Sequence, residues 1–197
     1  MMPDGPVRRI DCIYEVFGPA LPGVGVRIVD DDRRVVPTGE IGDIQVRGPN
    51  VFAGYWKLPE KTAEDFTTDG FFDTGDKGHI DADGYVSIVG RAKDMVITGG
   101  LNVYPKELEL IIDDLPGVME SAVIGVPDPD FGEAVVAIVV PVDGESLEEA
   151  VIISMLKERV AGYKVPKRVM VVPELPRNTM GKVQKNVLRD AWKDVFA

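Results

Sequence analysis

Residues 78–100 read "GHIDADGYVSIVGRAKDMVITGG". Three kinds of local chemistry follow one another here. "GHIDADGYVSIVGR" (78–91) predicts a hairpin, because Asp83-Gly84 supplies a positive-φ turn between two apolar strands. "GRAKDMV" (90–96) then breaks the apolar pattern with charge, and few contacts are expected to cross such a point. "MVIT" begins a new strand, which Gly99-Gly100 ends. The spacing therefore predicts a boundary between two halves at 90–96.

Upstream of that boundary, residues 22–90 read as mostly strand. "VGVRIVD" (24–30) and "IGDIQVRG" (41–48) carry alternating or β-branched apolar residues, joined by an exposed hairpin connection, "DDDRRVVPTGE". "LPEKTAEDF" (58–66) predicts a short helix, with Pro59 in its first turn and Ala63 and Phe66 on one face. Downstream, residues 95–197 alternate strand and helix. "PKELELIIDDL" (105–115) places Leu108, Ile111, Ile112 and Leu115 at helical spacing. "ESAVIGV", "EAVVAIVVP" and "RVMVV" (168–172) read as strands. "SLEEAVIISMLKERV" (146–160) opens with Ser146 and Glu149, the spacing of a capping box. A last helix from about Gln184 puts Val187, Leu188, Ala191, Trp192 and Val195 on one face. The fold class predicted is α+β, a β-rich half followed by a smaller α+β module.

Composition narrows the function. The chain has 197 residues and a formal net charge of -11, which disfavours non-specific binding to nucleic acid or anionic lipid. No apolar run reaches the length of a membrane span, and the N-terminus lacks the apolar core of a signal peptide. A single cysteine, Cys12, rules out an internal disulfide framework and Cys-rich zinc patterns. A cytoplasmic location is expected.

Four stretches have chemistry available, each with a plainer alternative. In "FFDTGD" (71–76), Asp76 can accept hydrogen bonds from two vicinal hydroxyls, or the stretch is an ordinary turn. In "GRAKDMVITGG" (90–100), Arg91 can meet a phosphate or a ribose, and Gly99 and Gly100 permit close approach of a ligand or simply a positive φ. In "VAGYKVPKR" (160–168), Lys164, Lys167 and Arg168 form a cationic patch, for phosphates or for water. In "PRNTMGKVQK" (176–185), Arg177, Lys182 and Lys185 surround Gly181, and a lysine on a glycine turn is a point charge able to stabilise a phosphoryl group. His79, the single histidine, has no nucleophile at a telling spacing and reads as structural. No metal-ligand cluster and no Gly-rich strand-to-helix phosphate loop stand out.

In their order and spacing, "FFDTGD", "GRAKDMVITGGLNVYPKELE", "YKVPKR" and "LPRNTMGKVQK" resemble the C-terminal end of the acyl-adenylate-forming (AMP-dependent synthetase/ligase) superfamily. "GPALPGVGVRIVD" (18–30), "GEIGDIQVRGPNVFAGYW" (39–56) and "PDPDFGE" (127–133) add to the resemblance, which covers about residues 17–197. "TGGLNVYPKELE" and "LPRNTMGKVQKNVLRDAW" look most like malonyl-CoA synthetases.

The resemblance implies the end of a large N-terminal domain over 17–93 and the AMP-binding enzyme C-terminal domain over 94–197, after a segment 1–16 without counterpart. It implies a ligase that joins a small carboxylate to coenzyme A with ATP, by way of an acyl-adenylate and with release of AMP and pyrophosphate. Carried over position by position, Asp76 would bind the ribose hydroxyls and Arg91 the nucleotide. Asp94 would be the hinge between the two half-reactions, and Gly99-Gly100 would line the coenzyme A passage. Lys182 would be the catalytic and nucleotide-binding cation of adenylate formation. The pyrophosphate loop, the acyl pocket and most ligands for Mg2+ belong to upstream parts of such enzymes that this chain does not contain. An intact N-terminal domain is therefore an expected partner, a non-catalytic or partner-docking remnant and an adenylation enzyme with a different acyl substrate or acceptor are the alternatives, and exposed apolar surface is expected in the first half.

Overall fold

The computed structural model describes residues 15–197, so the predicted segment 1–16 lies, through residue 14, outside the described residues. The chain divides into two compact units, one through Ala92 and one from Lys93.

The first unit is an antiparallel sheet. Its strands are β1 (Glu15–Pro19), β2 (Gly25–Val29), β3 (Gly42–Arg47), β4 (Phe72–Ile80) and β5 (Tyr85–Arg91), in the order β1-β5-β4-β3-β2. The register sets Ile28 opposite Ile44, and side-chain alternation gathers Ile28, Ile44 and Val86 with Val26, Val46, Ile80 and Ile88 into one small core. The predicted hairpin 78–91 forms, with Asp81 Oδ1 accepting the Asp83 and Tyr85 amides and Gly84 at φ 84°. "FFDTGD" is not a connecting turn. Residues from Phe72 onward belong to β4, where the Thr74 hydroxyl donates to the Ile44 carbonyl at 2.9 Å.

Helix α1 (Pro59–Asp65) has no buried residue, and Ala63 is exposed rather than facing inward with Phe66. Polar groups dock it instead: the Tyr55 amide donates to Thr62 Oγ1 at 2.9 Å and the Tyr55 hydroxyl to Asp65 at 2.9 Å.

The second unit is built on β9 (Gly132–Pro141). One edge of β9 pairs antiparallel with β8 (Val118–Asp128). The other is shared by β10 (Arg168–Val171), which is parallel, and β6 (Val96–Thr98), which continues to β7 (Leu101–Val103). The apolar run of β9 has both faces covered. Val135, Ala137 and Val139 pack with Leu108, Ile112, Ile152 and Leu156 of α2 (Pro105–Asp113) and α3 (Glu149–Lys157). Val136, Ile138 and Val140 pack with Leu188 of α4 (Lys185–Trp192) and with Leu175. A strand buried on both sides has no reason to alternate polar and apolar, and "AVVAIVV" does not. Each fully buried Val or Ile contributes on the order of 1.5–3 kcal/mol.

Two sequence expectations fail locally. The Ser146–Glu149 capping box does not form, because α3 starts at Glu149 and Glu149 Oε1 instead accepts the Val169 amide and Arg168 Nε, both at 2.9 Å. Leu188 and Trp192 of α4, with Val195 just past its end, face the core, while Val187 and Ala191 are exposed. The buried stripe follows an i, i+4, i+7 track and leaves its neighbours outside. Among the described residues, no helix is long and apolar enough to cross a membrane.

Candidate active site

Each unit carries its own group of the predicted residues. In the first, Asp76 and Arg91 are opposite partners in the β4–β5 register. Arg91 Nε lies 2.9 Å from Asp76 Oδ1, and Arg91 Nη1 donates to the Thr74 carbonyl at 3.2 Å. The Thr74 side chain restrains the strand at this point: the Asp76 amide donates to Thr74 Oγ1 at 3.1 Å, just after Gly75 at φ 70°. Burial pushes the Asp76 carboxyl above its ordinary range, and the Arg91 guanidinium opposes that shift. Asp76, Thr74 and Asn50 are the polar lining of a cavity of about 360 Å³, with Val26, Ile44, Val46 and Ile88 among its apolar walls. An acceptor-only group beside a guanidinium, in an apolar cleft, can take two hydroxyl donors and an anion together. His79 lies within β4, half-buried.

In the second unit, Lys182 sits on a closed loop. Arg177 and Val183 pair as an antiparallel bridge, and the Asn178 amide donates to the Lys182 carbonyl at 2.9 Å. Asn178 Oδ1 accepts the amides of Met180 at 3.0 Å and Lys182 at 2.9 Å. Gly181 takes φ 79°, a conformation costly for a residue with a Cβ. Lys182 is exposed, and its ammonium has no ion pair or hydrogen bond among the described residues.

Neighbouring cations behave differently. Lys164 Nζ lies 2.7 Å from both Glu107 oxygens. Lys167 Nζ lies 2.8 Å from Asp128 and 4.1 Å from the centre of the Phe131 ring. Arg168 pairs with Glu149 at 2.9 Å, Lys185 with Glu109 at 2.6 Å, and Arg177 with Glu120. The patch of Lys164, Lys167 and Arg168, although Lys167 and Arg168 are exposed, is therefore already paired rather than held ready for phosphate. Carboxylates distant in the chain neutralise it.

Asp94 ends a short 3-10 turn, and its carboxylate accepts Arg189 Nη2 at 2.6 Å. Gly99 and Gly100, at φ 57° and 79°, form the two-residue turn between β6 and β7. The Gly99 amide donates to the Phe131 carbonyl at 2.9 Å, and a Cβ there would stand 3.2 Å from the Phe131 ring. Sequence reading did not single out Glu120 or Arg189. Their partners lie 57 and 95 positions away, where no local pattern points to them. Among the described residues, no group of three or more His, Cys, Asp or Glu is placed to hold a metal ion.

The sequence matches the AMP-binding enzyme family over residues 7–56 and the AMP-binding enzyme C-terminal domain over residues 107–182, together more than half of the chain. ATP-bound MatB from Rhodopseudomonas palustris is similar to it with a TM-score of 0.88 and 57% identity, covering 92% of this chain and 36% of that one. The amide bond synthetase McbA from Marinactinospora thermotolerans is similar with a TM-score of 0.85 and 37% identity, covering 90% of this chain and 36% of that one. Indoleacetate–CoA ligase from Aromatoleum aromaticum is 45% identical over 172 residues, 87% of this chain and 34% of the ligase. The chain thus spans about a third of the length of these relatives. With both of its halves matched within one family, the chain belongs to the AMP-binding enzymes, of which it carries the C-terminal part.

Proposed function

We propose that this chain supplies the C-terminal catalytic part of a cytoplasmic, ATP-dependent acyl-CoA synthetase, with malonate as the acyl substrate. The activity belongs to the whole enzyme, formed by this chain with the remaining part of such a ligase, in one polypeptide or two. In the first half-reaction a carboxylate oxygen attacks the α-phosphorus of ATP. The bond to pyrophosphate breaks and an acyl-adenylate forms. In the second, the thiol of coenzyme A attacks the acyl carbon, loses its proton, and AMP leaves.

The observation that carries this reading is the unpaired ammonium of Lys182 on a loop held by four backbone-directed hydrogen bonds, in a unit whose neighbouring cations are paired. A cation already bonded to a carboxylate has little left for a phosphoryl group. A cation held near one and free of partners stabilises charge as it develops. Lys182 serves adenylation, Asp76 and Arg91 hold the ribose and the nucleotide, Asp94 turns between the two half-reactions, and Gly99-Gly100 admits the pantetheine arm. Mg2+ is held mostly by residues outside this chain. Malonate is favoured by "TGGLNVYPKELE" and "LPRNTMGKVQKNVLRDAW", and by the 57% identity to MatB. A second reading keeps the adenylation and changes the acceptor to an amine, supported by the similarity to an amide bond synthetase.

The test mixes this chain with a separately expressed N-terminal part of the ligase and follows AMP release with ATP, malonate and coenzyme A. Activity in the mixture is expected. Lys182→Ala is expected to lose adenylate formation by roughly 100-fold or more, yet still convert supplied acyl-adenylate to thioester. Equal loss of both half-reactions would remove Lys182 from its assigned role.

A further inference from the structure

We propose that Arg177, anchored by Glu120, is the positioning residue that orients Lys182, an inference that rests on the assignment of Lys182 to adenylate formation. Gly181 and Lys182 share one peptide unit, and a peptide unit is planar. Both polar ends of that plane are held. Its carbonyl accepts Arg177 Nη1 at 2.6 Å, and its N–H donates to Asn178 Oδ1 at 2.9 Å. With the Lys182 carbonyl also accepting the Asn178 amide at 2.9 Å, the peptide units on both sides of the Lys182 Cα are held, and with them the direction in which its side chain leaves the backbone.

The two restraints differ in reach. Asn178 belongs to the loop itself, so its bonds close the turn without relating it to the sheet. Arg177 bonds outward as well, with Nη2 donating to Glu120 Oε2 on β8. Glu120 stands opposite Val140, and Val140 is buried in the strand pair at the centre of the unit. One guanidinium therefore connects the most deeply packed strands to the peptide that precedes the reactive ammonium. The planar fork suits this task, because two donors on one rigid group serve two acceptors at fixed separation. Glu120 also neutralises Arg177, so Arg177 does not compete for the anion that Lys182 is to meet.

Closing the turn does not rest on Arg177 alone, since the bonds of Asn178 and the Arg177–Val183 backbone bridge also close it, and the Arg177 side chain steadies the turn that they form. A role confined to folding would lower stability and affect both half-reactions alike. A positioning role affects only the step in which Lys182 takes part, and through kcat more than KM, because displacement of a catalytic group by about 1 Å costs up to about 100-fold in rate.

The experiment has two arms. In the isolated chain, amide hydrogen exchange at Lys182 and Met180 is measured for wild type, Arg177→Ala and Arg177→Lys. Exchange at these amides is expected to quicken by roughly 10-fold in Arg177→Ala, with β8 and β9 unchanged and partial recovery in Arg177→Lys. Unchanged exchange at Lys182 overturns the proposal. In the mixture with the N-terminal part, Arg177→Ala is expected to lower kcat of adenylation by roughly 10- to 100-fold, leave KM for ATP within about twofold, and preserve thioester formation from supplied acyl-adenylate. Wild-type adenylation, or equal losses in both half-reactions, overturns it. Should Arg177→Ala not fold, Glu120→Gln, which keeps a neutral acceptor for Nη2, decides by the same readouts, with an effect between wild type and alanine. Lys182→Ala separates the two readings. If it adenylates normally, the assignment of Lys182 fails; if it is inactive while Arg177→Ala is normal, only the positioning role fails.

Discussion

The two units spend the same kinds of residue differently. In the second, β9 is apolar on both faces and covered on both, by α2 and α3 on one side and α4 on the other. Lys164, Lys167, Arg168, Arg177, Lys185 and Arg189 are tied to carboxylates, and, among the described residues, Lys182 is not. In the first, the sheet gathers a small core, and Val26, Val46 and Ile88 stay half-buried around a cavity of about 360 Å³. The exposed apolar surface expected there is present, with Trp56 at 86% and Leu21 at 70% exposure. The contrast teaches that one unit draws its stability from a strand packed on both faces, while the other leaves apolar side chains half-buried around a cavity.

Truncating matched core positions tests this most strongly. Ile138→Ala is expected to destabilise the second unit by ~4 kcal/mol, since Ile138 is completely buried between strands and helix. Ile44→Ala is expected to cost the first unit ~2 kcal/mol, because Ile44 already faces a cavity and has fewer contacts to lose. Urea denaturation followed separately in each unit measures both, and equal losses would break the contrast.

A somewhat smaller effect is expected from Lys164→Met. It leaves the Glu107 carboxylate, 8% exposed, without its ammonium, at a cost of about 3 kcal/mol. Adding Glu107→Gln should restore part of that loss. A single variant as stable as wild type would show that the pair adds nothing to the second unit.

The smallest effect concerns acid. Hydrogen bonds from Arg27 and Thr67 hold the Asp69 carboxyl down at about 2. A carboxyl with a depressed native pKa binds its proton more weakly when folded. Its contribution is complete above the ordinary carboxylate pKa and is lost as pH falls towards about 2. The thermal midpoint of the first unit should therefore fall less steeply between pH 5 and pH 2 in Asp69→Asn than in wild type. Identical slopes would remove Asp69 from the acid response.

By itself the sequence determined the elements whose cause is local. The hairpin at 78–91 follows from Asp83-Gly84, the turn at Gly99-Gly100 from two residues free to take positive φ, and the buried strand β9 from seven consecutive apolar residues. It also pointed to Asp76, Arg91, Asp94 and Lys182 as the residues with chemistry to offer. What it did not determine was which charges remain available. Lys164, Lys167, Arg168, Lys182 and Lys185 are alike on paper, and only the folded chain shows the first three and Lys185 committed to Glu107, Asp128, Glu149 and Glu109. The same holds for the capping box at Ser146, where Glu149 prefers Arg168 and the Val169 amide to its own helix end. The physical reason is distance along the chain. Backbone turns and periodic burial are set by neighbours within a few positions, whereas a charge is spent on whichever opposite charge the tertiary packing brings within 3 Å.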